Sequence, residues 1–142
     1  MKLSTKGKYA VYAMYYLAKG AGEGPKTLRD IATMGIPEKY LEQLLGNLRR
    51  VGLVKTTRGV RGGYELAKAP DEITVGDVIG ATEGPVSISE CLSEQTPCFR
   101  SSVCAVRQVW EQLTGSINII LDGITLQDML CDNLVSVKGE EL

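Results

Sequence analysis

The sequence has no histidine, one tryptophan and one phenylalanine. The first absence removes the usual general base of enzymes and the commonest nitrogen ligand of metals. No serine is paired with a base in a catalytic pattern either, so an enzyme is not expected. No apolar run approaches the length needed to span a membrane. The N-terminus, MKLSTKGKYAVYAM, lacks the unbroken apolar stretch and small-residue cleavage site of a signal peptide. A cytoplasmic protein without membrane partners is therefore expected, with its thiols kept reduced. At 142 residues, 44% hydrophobic and 23% charged, the chain suits one domain, or one small domain with an appendage.

The net charge of -1 conceals a division. Residues 1–68 carry 13 Lys+Arg against 5 Asp+Glu, and residues 69–142 carry 3 against 12. A basic half at +8 joined to an acidic half at -9 suggests that the first meets a polyanion and the second does not.

Helical spacing organises the basic half. Ser4 or Thr5 can cap a helix carrying Tyr9, Tyr12, Ala13, Tyr16 and Leu17, which the glycines at 20, 22 and 24 and Pro25 end. Thr27 caps TLRDIATM, with Asp30 at the capping-box position. Pro37 suits the first turn of a third helix, PEKYLEQLLGNLRRVG, whose apolar face is Leu41, Leu44, Leu45 and Leu48. Two strand-like runs, LVKTTRG and GGYELAK, then flank a Gly- and Arg-rich connection. Helix, helix, helix and hairpin in that order predict a mainly α fold with a small β-hairpin wing, a winged helix-turn-helix. The second helix of such a unit enters the major groove, which nominates Lys39, Tyr40, Glu42 and Gln43 for base edges. Arg49, Arg50 and Lys55 suit phosphates, and Arg58, Arg61, Gly62 and Gly63 lie at the wing.

Thr74 caps a further helix, TVGDVIGAT. From about Ser102 to Leu121 a long helical pattern places Val103, Val106, Trp110, Leu113, Ile117 and Ile120 at alternating spacings of three and four. This seam predicts a C-terminal dimerisation helix that brings two winged units onto a palindromic site. Thr125 caps a short last helix, in which Cys131 is expected to be a small buried apolar residue. The expected organisation is a winged DNA-binding domain over 1–83 and a cysteine loop over 84–104. A dimerisation helix with a short last helix covers 105–134, and a tail covers 135–142.

Cys91, Cys98 and Cys104 stand within fourteen residues, with six residues between the first two and five between the last two. That is wider than the paired cysteines of zinc knuckles and looser than ferredoxin spacings. Three soft thiolates suit an iron–sulfur cluster, zinc or copper(I), with ordinary cysteines and a redox thiol set as the other readings.

The N-terminal segment, KYLEQLLGNLRRVGLVKTTRG, RGGYELAK, ITVGDVI and the cysteine triplet together resemble the IscR-like iron–sulfur cluster transcriptional regulators. That winged-helix family also includes CymR-like regulators of cysteine metabolism, which differ at the cysteine loop. The resemblance covers about residues 1–134. It implies a homodimeric regulator, mainly a repressor, that binds a double-stranded DNA operator. Glu42 and Gln43 would bear on operator choice, with Arg58 at the minor groove. It further implies a 2Fe–2S cluster on Cys91, Cys98 and Cys104, supplied by the iron–sulfur assembly machinery and controlling genes that build such clusters. The alternative is a cluster-free regulator of cysteine or sulfur metabolism, or of thiol stress. The resemblance breaks at one place. Such regulators complete the cluster with a histidine three residues after the last cysteine, and that position here is Arg107. Glu90, Glu94, Ser101, Ser102, an exogenous thiol or water remain open as the fourth ligand.

Overall fold

A computed structural model describes residues 3–88 and 105–132. The first helix, α1, spans Thr5–Lys19 and runs through the centre of the fold. Its inward stripe is Ala10, Ala13, Met14, Leu17 and Ala18, in which the three alanines let neighbouring elements approach closely and Met14 and Leu17 fill the core. Ser4 caps it by accepting the Gly7 N–H at 3.2 Å. The first turn holds no acid of its own. The Glu83 carboxylate, from the end of α4 (Val75–Glu83), takes that place and accepts from both the backbone N–H and the hydroxyl of Ser4. A negative charge at a helix N-terminus is favourable, so this contact ties α4 to α1.

Helix α2 is Leu28–Ala32 and α3 is Glu38–Arg50. The expected capping box forms at α2: Thr27 Oγ1 accepts the Asp30 N–H and Asp30 Oδ2 accepts the Thr27 N–H, each at 3.1 Å. Pro37 occupies the N-cap of α3, one position earlier than expected. Leu41, Leu44, Leu45 and Leu48 are all buried, as their spacing requires. Strands β1 (Val54–Thr57) and β2 (Gly63–Leu66) form the hairpin, with Val54 opposite Leu66 and Thr57 opposite Gly63. A 3-10 turn at Pro70–Glu72 leads into α4, where Thr74 and Asp77 make a second capping box.

Helix α5 spans Ala105–Gly123 within the described residues and α6 spans Leu126–Leu130. The chain returns to the first domain at their junction. Val75 N–H donates to Ile124 C=O at 2.8 Å and Leu126 N–H donates to Ile73 C=O at 2.9 Å. Leu126 is fully buried in the same cluster as Ile31, Leu45 and Val78. The last helix thus completes the core of the winged unit. Among the described residues, no helix is long and apolar enough to cross a membrane.

The α2 box also carries a pH signature. Hydrogen bonds from the Thr27 side chain and backbone hold the Asp30 carboxyl below its usual value. A depressed carboxylate stabilises the fold above its unfolded pKa, and that contribution disappears as pH falls through the folded value. Asp30→Asn is therefore expected to melt below wild type at neutral pH, with the gap closing below about pH 4. Parallel melting-temperature profiles that stay equally spaced down to acid pH would contradict this.

Candidate nucleic-acid interface and thiol segment

With its leucines turned inward, α3 presents Lys39, Glu42, Gln43, Gly46, Arg49 and Arg50 to solvent. At about 100° per residue these positions fall within roughly 120° of the helix circumference. Five of the six were singled out in the sequence. Gly46 was not; a Cβ there would meet nothing within 4 Å, so this helix carries a hollow in the middle of its outer face. A glycine inside a helix costs about 1 kcal/mol relative to alanine, which marks the position as one where the lack of a side chain has a use. Tyr40 departs from the sequence expectation. It is half-buried and its ring meets that of Tyr9 edge-on at 5.7 Å, so it braces α3 against α1.

The wing is held at its base by a contact the sequence does not advertise. Lys26 pairs with Tyr64, N–H to C=O in both directions, at 2.8 and 2.7 Å. This third strand-like segment locks the hairpin to the start of α2. Gly63 has a φ of 154°, and a Cβ on it would collide with the Lys26 backbone. A Cβ on Gly62 would collide with the backbone at Thr57 and Arg58. Both glycines, singled out as DNA contacts, are thus required by the hairpin itself. Arg58 and Arg61 are exposed at its tip. Glu65 faces Lys55 at 3.9 Å. Among the described residues, no carboxylate lies within ion-pair distance of Lys39, Arg49, Arg50, Arg58 or Arg61. Free cations in one outward array suit a phosphate backbone.

Helix α5 has no buried residue among its 19. Its predicted seam divides. Trp110 and Ile117 are half-buried, while Val106, Leu113 and Ile120 are exposed, together with Val109 and Ile119, which the seam did not include. The half-buried side leans on α4. It is strapped by Ile88 N–H donating to Thr114 Oγ1 at 3.3 Å and Asn118 Nδ2 donating to Val86 C=O at 3.4 Å. Beside it opens an apolar groove of about 450 Å³ lined by Leu3, Val11, Tyr12, Tyr15, Ile79 and Leu121. Val103, Cys91, Cys98 and Cys104 lie outside the described residues, as do Glu90, Glu94, Ser101 and Ser102. Arg107 is described: its Nε donates to Glu111 Oε1 at 2.9 Å. Cys131 corrects the expectation of burial. Helix α6 ends at Leu130, Cys131 is its C-cap, and Asp132 follows with a φ of 58°. The turn carries the thiol outward, where it is free, exposed and accepts from Gln127 Nε2 at 3.1 Å.

Residues 3–132 match the Rrf2 family, described as iron-dependent transcriptional regulators. The chain belongs to the Rrf2 family. It is 45% identical over 130 residues to the HTH-type transcriptional regulator CymR of Bacillus subtilis, covering 91% of this chain and 89% of that protein. It is 44% identical over 136 residues to the regulator IscR of Aliivibrio salmonicida, covering 95% of this chain and 80% of that one. Among solved structures, B. subtilis CymR, the global cysteine regulator, superposes with a TM-score of 0.79 at 44% identity, covering 93% of this chain and 98% of that one. T. potens IscR superposes with a TM-score of 0.78 at 42% identity, covering 99% and 93%.

This Rrf2 protein is accordingly a DNA-binding transcriptional regulator with a winged-helix fold, and not an enzyme. On that footing the wing carries a measurable consequence. Arg58→Ala is expected to weaken binding to every duplex and to make the slope of log affinity against log salt shallower by about one unit. A loss confined to AT-rich sites would assign Arg58 to the minor groove, and no loss at all would remove it from the interface.

Proposed function

We propose that this protein is a homodimeric, cytoplasmic repressor that reads its operator with the outer face of α3 and the wing. Its operator occupancy is controlled by a 2Fe–2S cluster on Cys91, Cys98 and Cys104, and its targets include genes for building such clusters. Glu42 and Gln43 bear on base choice, with Lys39, Arg49, Arg50 and the wing arginines as anchors. The observation that carries the DNA reading is the array of unpaired cations around one exposed helix face. The dimer reading rests on the apolar stripe that α5 leaves uncovered.

For the cluster, the support is the chemistry of the donor set. Three thiolates are the ligands iron–sulfur centres take, and a bound cluster would supply a redox- and supply-dependent constraint on the 91–104 segment. Among the described residues, no group of three His, Cys, Asp or Glu side chains gathers as a metal site, and the fourth donor beside the three cysteines stays open between a protein side chain, an exogenous thiol and water. Arg107 is not that donor. A guanidinium offers five N–H donors and no acceptor for a metal, and this one is engaged by Glu111. The segment begins next to the strap formed by Val86 and Ile88 on α5, and Glu83 before that strap bonds Ser4 at the start of α1. A cluster bound at residues 91–104 would therefore act on a short path through Val86, Ile88 and Glu83 to α1 and the winged unit.

The missing histidine, together with the similarity to a CymR, favours a second reading in which the thiols regulate without a cluster. Anaerobic reconstitution with ferrous iron and sulfide separates the two. The first reading expects visible absorption that Cys98→Ala loses while remaining a folded dimer. A colourless protein with unchanged operator affinity would establish the second.

A further inference from the structure

Val60 has a relative exposure of 105%, while the next most exposed large apolar residue described, Ile119, stands at 75%. Its position follows from the turn. Gly62 N–H donates to Gly59 C=O at 3.0 Å, closing a four-residue turn with Val60 and Arg61 at its centre. Gly59, at a φ of 111°, lets the chain reverse there. The outermost point of the wing is thus an isopropyl group, bracketed by the free guanidinium groups of Arg58 and Arg61. An apolar protein partner would have to bury both of those cations. A polyanion with an apolar cleft between its phosphates would not.

We propose that Val60 is the base-pair selector of the wing, seated on the minor-groove floor while Arg58 and Arg61 hold the flanking strands. This rests on the DNA-binding reading of the wing and deepens it. In the minor groove, A·T and T·A present only acceptors, whereas G·C adds the guanine 2-amino donor. An isopropyl group leaves that amine unpaired and collides with it, so Val60 accepts A·T in either orientation and rejects G·C. Apolar side chains at minor-groove steps are an established way to engage DNA, and narrow A·T tracts attract the neighbouring arginines. The discrimination is a penalty on the wrong pair and needs no hydrogen bond from Val60 to the right one.

The test uses the full chain. Its operator is selected from a randomised duplex pool, and hydroxyl-radical footprinting locates the pairs beneath the wing. Replacing A·T there by G·C should weaken wild-type binding about tenfold. Inosine·C, which keeps the major groove of G·C but lacks the 2-amino group, should restore it. Val60→Ser, whose hydroxyl can accept from that amine, should reduce the G·C penalty to below about threefold. A penalty unchanged in Val60→Ser overturns the assignment, as does inosine·C binding as poorly as G·C. Equal damage from replacing thymine by uracil would place the contact in the major groove and overturn it too. A wild-type protein that binds its operator without preference at the wing pair removes Val60 alone. One with no sequence preference anywhere removes the operator reading by α3 and the wing together.

Discussion

A Leu113→Glu, Ile120→Glu variant is expected to be a folded monomer that binds its operator on the order of 100-fold more weakly than wild type. Leu113 and Ile120 are 44% and 53% exposed, so the core of their own chain does not depend on them. They line up with Val106 and Val109 on one side of a helix about 28 Å long that has no buried residue. A monomer would leave this stripe in water, whereas a second copy would bury it. Glutamate at two adjacent levels places like charges opposite one another across a two-fold axis, and each must be desolvated. The large functional effect follows from linkage: two reading heads on one palindrome gain about 10²–10⁴ in avidity, and separated heads lose it. Gln108→Glu, exposed but away from the stripe, is the control and should remain dimeric. Light scattering that reports a dimer for the double variant at micromolar concentration would sink the assignment of this face.

Leu45→Ala is expected to lower stability by about 2–5 kcal/mol, or roughly 10 °C in melting temperature. Leu45 is fully buried in a cluster shared by α1, α2, α3, α4 and α6. Removing its isobutyl group leaves a cavity between elements that cannot all close in at once. Against a total stability of about 5–15 kcal/mol, this is a large share for one residue. Well below the transition, operator affinity should remain within about threefold of wild type, because the outer face of α3 is unchanged. A large affinity loss with a normal melting curve would mean that Leu45 faces the DNA and that the helix is rotated from the orientation described.

Much of the scaffold was legible because its signals are local. Helix caps depend on residues three apart: Thr27–Asp30 forms the expected box, and Thr74 and Thr125, expected as caps, form boxes with Asp77 and Asp128. The four leucines of α3 sit one turn apart, so their burial follows from helical geometry alone. The charge division between residues 1–68 and 69–142 needs no coordinates at all. The hairpin was equally plain, since glycine and arginine clustered between two apolar runs leave the chain few other choices.

Other features depend on which segments meet. Tyr40 reads as a groove-facing residue until Tyr9, thirty-one positions earlier, arrives beside it. Gly63 reads only as a DNA contact in sequence, and the Lys26 backbone against it adds a packing reason for glycine that spacing does not show. Cys131 follows an apolar helical pattern, yet α6 stops one residue before it and the turn carries the thiol outward. The α5 seam looked continuous in sequence but divides in the fold: Trp110 and Ile117 are half-buried while Val106, Leu113 and Ile120 stay exposed. The amino-acid order by itself determined the elements, their caps, the inward face of α3 and the charge that selects a polyanionic partner, because each arises within a few bonds or by simple summation. Only the tertiary structure decided which exposed residues remain free to touch DNA or a second copy, because that depends on long-range packing between segments that sequence spacing does not record.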